Sequence, residues 1–198
     1  MAEKLYGMVI DLRRCVGCHA CRVACKSENN VPLKVFRTWV KDVEKGIYPN
    51  VSRHYLPRLC NHCANAPCVK VCPVKASYRN EDGVVMIDYD RCIGCKYCIA
   101  ACPYDSRFIN PIRKTAEKCD FCYHRVSRGY EPACVSTCVG GARVFGDLND
   151  PKSSVSQLLA RNAVQVLKPE QNTRPHVYYI QADRGVMGAN LRRMVGGE

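Results

Sequence analysis

Sixteen of the 198 residues are cysteine, and they fall into four quartets of nearly one design. Cys15-x2-Cys18-x2-Cys21-x3-Cys25 comes first, and Cys92-x2-Cys95-x2-Cys98-x3-Cys102 repeats its spacing to the residue. Cys60-x2-Cys63-x4-Cys68-x3-Cys72 widens the middle gap, and Cys119-x2-Cys122-x11-Cys134-x3-Cys138 widens it further. Three closely spaced thiols wrap a loop around one centre. The last, a helical turn on, faces a different centre. A chain with this pattern folds around its cysteine centres before any other consideration.

The spacing C-x2-C-x2-C-x3-C is that of bacterial ferredoxin runs, in which three thiolates hold one [4Fe–4S] cube and the fourth holds the neighbouring cube. Sixteen thiolates at four per cube give four cubes with none left over. Disulfide frameworks belong to secreted chains below about 100 residues, and cysteines three apart point at one centre. Four-cysteine zinc sites use two C-x2-C pairs and have no use for a third cysteine three residues on. His19, His62 and His124 lie within or beside the motifs, but sixteen thiolates leave no coordination position for them.

The formal charge of +12 and pI near 9.1 would ordinarily point to nucleic acid or an acidic membrane surface. An oxidised cube with its four thiolates carries about −2, and four of them leave the loaded chain near +4. Most of the Lys and Arg excess is therefore compensation for buried anionic clusters, and a nucleic-acid partner is not expected. No stretch reaches the 18 apolar residues of a membrane span. No signal peptide is expected, and Arg13-Arg14 runs into Cys15-Val16-Gly17-Cys18 rather than an apolar export core.

Gly7–Cys25 aligns without gaps on Val84–Cys102 at an offset of 77 residues, matching Ile10/Ile87, Asp11/Asp88, Arg14/Arg91, Gly17/Gly94 and all four cysteine pairs. The expected fold class is α+β: two nested ferredoxin-like modules from a tandem duplication, loop-rich, held by four clusters. Each half opens on a short apolar run read as a buried strand, Met8–Ile10 or Val84–Ile87. One short helix is expected after the fourth cysteine of each motif. Cys92 follows Cys72 by only 20 positions, which suits a single two-cluster unit. Nesting then places the second and third motifs in an inner module (56–109), and the first and fourth in an outer one (1–55 and 110–150). The crossed rule groups Cys15, Cys18, Cys21 and Cys138; Cys119, Cys122, Cys134 and Cys25; Cys60, Cys63, Cys68 and Cys102; and Cys92, Cys95, Cys98 and Cys72. Spacing alone leaves the side-by-side alternative open, first motif with second and third with fourth. Leu33–Asn50 reads as an extended arm or hairpin, and 151–198 as an extension for docking to another subunit. Within it Ser153–Leu167 forms a helix capped by the Asp150-Pro151 turn and Val177–Ile180 a strand. The Gly- and Arg-rich tail from Gly185 is expected to wrap over a neighbour or to be loose.

On these residues the whole chain resembles the four-cluster electron-transfer subunit of membrane-associated molybdopterin oxidoreductases. The resemblance rests on YGMVIDLRRCVGCHAC, CNHCANAPCVKVCP, RCIGCKYCIAACPYDSRF, EKCDFCYHR, FGDLNDPKS and LKPEQNTRP. Polysulfide, thiosulfate and tetrathionate reductases look nearest, with dimethyl sulfoxide and arsenate reductases in the same group. The resemblance implies the nested pairing and a non-catalytic relay of single electrons. Its partners would be a molybdenum- or tungsten-pterin catalytic subunit and a quinone-reactive membrane subunit, with no small-molecule substrate of its own. It places the first-motif cluster toward the catalytic subunit and the third-motif cluster toward the membrane. It also implies a location peripheral to the cytoplasmic membrane, on the outer face by co-export with the catalytic subunit; the cytoplasmic face is the alternative. Some relatives carry tryptophan at the second cysteine of the third motif and hold a [3Fe–4S] cluster; Cys95 here implies a full cube. Val139 stands where relatives often have proline after the last cysteine. A free soluble polyferredoxin is the alternative function.

Overall fold

The computed structural model describes residues 4–188. In chain order its elements are β1 (Tyr6–Asp11), α1 (Ala20–Glu28), β2 (Trp39–Ile47), β3 (Asn50–Arg58), α2 (Pro67–Lys70), β4 (Ser77–Arg79), β5 (Val85–Ile87), α3 (Tyr97–Ala100), β6 (Phe108–Ile109), β7 (Ala116–Glu117), α4 (Tyr123–Val126), α5 (Ala133–Ser136), β8 (Arg143–Asp147), α6 (Ser154–Arg161), β9 (Val164–Gln165), a 3-10 turn (Pro169–Gln171), β10 (Val177–Ile180) and α7 (Arg184–Gly188). The architecture is mixed α and β, with small sheets, short helices and long loops.

Strand β1 is apolar on both faces, with Met8, Val9 and Ile10 fully buried, and such a run belongs in the interior of a sheet. It is central in the four-stranded sheet β8-β1-β10-β9. Met8 pairs antiparallel with Phe145 of β8 and parallel with Val177 of β10. The strand entering the first motif is thus zipped to the strand leaving the fourth. The segment after residue 150 is part of the same core, since β10 inserts Val177, Tyr179 and Ile180 beside β1.

The arm expected at Leu33–Asn50 is a hairpin displaced toward the C-terminus, β2 against β3 from Trp39↔Arg58 to Ile47↔Asn50. Its base is buried at Leu56 and Arg58, and its tip is open, Tyr48 being 89% exposed. Two smaller hairpins, β4–β5 and β6–β7, bracket the third motif. The latter straddles residue 110, so the boundary drawn there from sequence cuts a hairpin.

The motif helices differ from expectation. They start before the third or fourth cysteine rather than after it: α1 contains Cys21 and Cys25, while α2, α3 and α5 contain Cys68, Cys98 and Cys134. Only α1 runs past its fourth cysteine. The cause is local, because Pro73 and Pro103 follow Cys72 and Cys102, and the residue before proline is driven from the helical region. The fourth motif meets Gly140 and Gly141 instead, and Lys26 leaves α1 free to continue. The late helix is also shorter than Ser153–Leu167. Ser153 itself is the cap, its Oγ accepting from the Ser156 amide at 3.2 Å. Asn162 is extended and feeds β9 into the sheet, so pairing with Ile180 overrides helix propensity at Val164. Of the tail from Gly185, residues 189–198 lie outside the described residues.

Candidate functional site

The cysteine loops are built from left-handed backbone. Gly17 and Gly94 hold φ near +70° at matching places in the first and third motifs, followed two residues on by His19 and Lys96 at +59° and +68°. This coil turns successive amides and thiols inward. A Cβ on Gly94 would stand 2.7 Å from the Lys114 carbonyl, and one on Gly17 would run into the Tyr55 ring, so both positions need glycine for space as well as conformation.

Three compact, mostly apolar cavities are each lined by four cysteines. Cys15, Cys18, Cys21 and Cys138 line one. Cys72, Cys92, Cys95 and Cys98 line another. Cys60, Cys63, Cys68 and Cys102 line the third. In each, three thiols come from one motif and the fourth from another. The remaining four also gather. Asn29 Nδ2 reaches Cys25 Sγ at 3.8 Å and Cys122 Sγ at 3.7 Å, and Cys119, Cys134 and Cys122 act electrostatically on Cys25 and on one another. Every candidate cysteine is thereby placed in one of four groups.

The groups differ in exposure. Cys18 and Cys95 are exposed, so the first- and third-motif cavities open at the surface. Cys25, Cys119, Cys122 and Cys134 are all buried, as are Cys60, Cys63 and Cys68. Exposed apolar side chains rim the two open cavities: Val16 and Val139 (60% and 75% exposed) at one, Ile93 and the neighbouring Tyr97 (66% and 63%) at the other.

Burial first, then neighbouring sulfurs, hold the Cys25, Cys63 and Cys134 thiols protonated. Desolvation first, then Cys134 and Cys122, push Cys25 up to about 12. Burial, then Cys60, does the same to Cys63, and burial raises Cys134 to about 11. Thiols in such surroundings become thiolates when a metal centre supplies compensating positive charge. The surroundings are prepared for anionic sulfur. The Ser77, Ala116, Phe121 and Ala142 amides donate to Cys72, Cys92, Cys119 and Cys138 Sγ at 3.2–3.5 Å. Arg107 Nη2 donates to Cys68 Sγ at 3.0 Å, and Arg143 Nη1 reaches Cys134 Sγ at 3.6 Å.

Buried cations make the strongest test of what the cavities suit. Arg37 is neutralised by Glu117 at 2.8 Å and Asp120 at 3.0 Å. Arg58, Arg107, Lys118 and Arg143 are each no more than 3% exposed, and they donate to carbonyls, hydroxyls and sulfurs. Arg58 Nε and Nη1 and Arg107 Nε and Nη1 have no hydrogen-bond partner among the described residues. Buried positive charge of this kind is stable only beside buried negative charge. Among the described residues no three His, Cys, Asp or Glu side chains converge on a point where one ion could sit. Four thiols that do not converge on one point, with cations behind them, fit an anionic iron–sulfur cube better than a single zinc ion at about 2.3 Å from each sulfur.

The histidines at two of the three motif positions are otherwise engaged. His62 is buried and stacks on Phe121 at 3.7 Å, and His124 Nε2 lies 2.7 Å from Glu28. Sequence reasoning did not single out Arg107, Lys118 or Arg143. A signal existed: Arg107 and Arg143 stand at the same distance after Cys102 and Cys138, the last cysteines of their motifs.

Residues 51–148 match the 4Fe-4S dicluster domain family. The chain is 53% identical to a tetrathionate reductase subunit of Salmonella typhimurium, over 90% of this chain and 73% of the relative. It is 46% identical to a polysulfide reductase polypeptide of Wolinella succinogenes, over 93% and 98%. It is 40% identical to the iron–sulfur subunit of an arsenate respiratory reductase from Shewanella sp., over 89% and 96%. No helix of the described residues is long and apolar enough to cross a membrane. The chain therefore belongs to the family of iron–sulfur subunits of tetrathionate, polysulfide and arsenate reductases, carries [4Fe–4S] clusters, and serves its complex by electron transfer rather than as the catalyst.

Proposed function

We propose that the chain is a four-centre wire whose ligand sets are Cys15, Cys18, Cys21 and Cys138; Cys119, Cys122, Cys134 and Cys25; Cys60, Cys63, Cys68 and Cys102; and Cys92, Cys95, Cys98 and Cys72. The proposed modules are the nested ones, first motif with fourth and second with third. A [4Fe–4S] cube supplies a one-electron carrier at each set. The protein's own work is to exclude water, to aim amide and guanidinium donors at the sulfurs, and to decide which sets meet the surface.

The observation that carries this reading is the distribution of exposure: two sets each have an exposed cysteine, while the other two are buried apart from the half-buried Cys102. An entry, an exit and two protected intermediate stations are what a relay between two partners requires. The apolar rims at Val16 and Val139 and at Ile93 and Tyr97 suit surfaces that partners cover. On this reading the first-motif end meets a molybdenum- or tungsten-pterin catalytic subunit and the third-motif end a quinone-reactive membrane subunit, in respiration on a sulfur compound such as polysulfide, thiosulfate or tetrathionate. The complex would lie on the outer face of the cytoplasmic membrane, with this chain loaded in the cytoplasm and carried out folded on its catalytic partner. Sixteen thiols exported unfolded would oxidise before meeting iron.

Purification of the native protein tests this. The expected preparation contains this chain together with a pterin protein and a membrane protein, with iron and acid-labile sulfide each near sixteen per copy of this chain, about four per cube. A chain that purifies alone and fully loaded would instead be a free polyferredoxin.

A further inference from the structure

Three buried cations occupy three separate places: Arg107 and Arg143 each reach two cysteine groups, and Lys118 reaches one through a cysteine carbonyl and a second through a residue that lines it. Arg107 lines both the Cys60/Cys63/Cys68/Cys102 cavity and the Cys72/Cys92/Cys95/Cys98 cavity. It donates to Cys68 Sγ at 3.0 Å and to Ser77 Oγ at 2.7 Å, and the Ser77 amide in turn donates to Cys72 Sγ. Arg143 lines the Cys15/Cys18/Cys21/Cys138 cavity and reaches Cys134 Sγ of the enclosed group at 3.6 Å, steadied by Thr38 Oγ1 at 2.9 Å. Lys118 Nζ donates to the Cys119 carbonyl at 2.7 Å and to the carbonyl of Val85, a residue lining the Cys60 cavity. At Arg107 and Arg143 the electrostatics agree with this placement; at Lys118 burial prevails over Cys60 and Cys119 and lowers the ammonium pKa. Burial pulls the Arg107 guanidinium down, yet Cys68, Cys60 and Cys98 leave it above its ordinary pKa. Burial likewise opposes Cys134 and Cys21 at Arg143, where the sulfurs prevail.

Ordered along the chain of groups, Arg143 stands between the first and second stations, Lys118 between the second and third, and Arg107 between the third and fourth. We propose that each is a shared counter-charge for one gap in the wire: a positioning residue that raises the reduction potentials of both flanking centres together. An electron arriving at either centre adds one negative charge there. A cation between two centres favours that charge on either side and screens the repulsion it exerts on the neighbour. A hydrogen bond to a single sulfur would act on one centre alone. The inference rests on the ligand sets proposed above.

The test is EPR-monitored redox titration of the assembled complex, with each signal assigned to its centre by Cys→Ser variants. Arg143→Met, Lys118→Met and Arg107→Met should each lower the midpoint potentials of two centres, the flanking pair, and leave the other two in place. Arg107→Lys and Arg143→Lys, which keep the charge but change the hydrogen bonds, should restore most of the shift at both members of the pair. Iron content should stay at the wild-type level; where a Met variant loads poorly, the Lys variant compared with Arg→Gln decides the same question. A shift at one centre only, at all four, or at none would overturn the shared-charge proposal. Failure of the ligand sets would look different: Cys72→Ser would then alter a signal other than the one altered by Cys95→Ser, whatever the cations do.

Discussion

Stripping the iron from the purified chain with a chelator, under reducing conditions that keep the thiols free, unfolds it. The hydrophobic interior includes ligand cysteines themselves, Cys21, Cys60, Cys63, Cys68, Cys98, Cys119 and Cys134. Beside the sheet, distant segments are tied together where cysteines meet, Cys25 with Cys134, Cys72 with Cys98, Cys63 with Cys102. Without cubes, Arg107, Lys118 and Arg143 lose the anions that justify their burial, and unpaired buried charge is strongly destabilising. Structural metal sites contribute on the order of 10 kcal/mol each, against a total stability of about 5–15 kcal/mol for an ordinary domain. Acid assists the loss. Burial raises the pKa of the free Cys25, Cys63 and Cys134 thiols, to about 12 at Cys25, so release of iron takes up protons and grows more favourable as pH falls. Far-UV circular dichroism and Trp39 fluorescence report the outcome. An iron-free chain that kept a cooperative unfolding transition would show that the polypeptide core suffices, contrary to this account.

Cys95→Ser should convert one centre and spare three. Cys95 is exposed, so its loss removes one thiolate and one iron position without opening the core. The expected product is a three-iron form of the third-motif centre, visible by EPR before any oxidant is added and present at one per chain. On the proposed placement, quinol-driven turnover of the complex then falls to near background. A reduced dye that feeds the catalytic subunit directly still supports substrate reduction. Equal loss in both assays would place that centre elsewhere in the path.

Much of this was legible in the sequence: cysteine spacing imposes the turns at Gly17 and Gly94, and the apolar runs mark Met8–Ile10, which is fully buried, and Val84–Ile87, which is buried at Val84 and Val85 and half-buried at Met86 and Ile87. Helix placement was legible only in part. The spacing puts the last cysteine a turn away, but Pro73 and Pro103 decide that the helix lies before it rather than after. The end of α6 was not legible, since Val164 leaves the helix to pair with Ile180, a contact across the sheet. The buried cations were hidden for a similar reason. A lysine in EKCDF or an arginine in SRFI reads as a solvated charge until the fold sets anionic groups on both sides of it.

The central claim is that four centres share their ligands crosswise between nested motifs. Its most direct measurement is the EPR spectrum of Cys72→Ser compared with those of Cys95→Ser and Cys68→Ser in the reduced complex. Cys72 lies in the same motif as Cys68 but in the same cavity as Cys95. The account predicts that Cys72→Ser perturbs the signal that Cys95→Ser perturbs and leaves the Cys68 signal unchanged. A Cys72→Ser spectrum altered in the Cys68 signal, with the Cys95 signal intact, would contradict it.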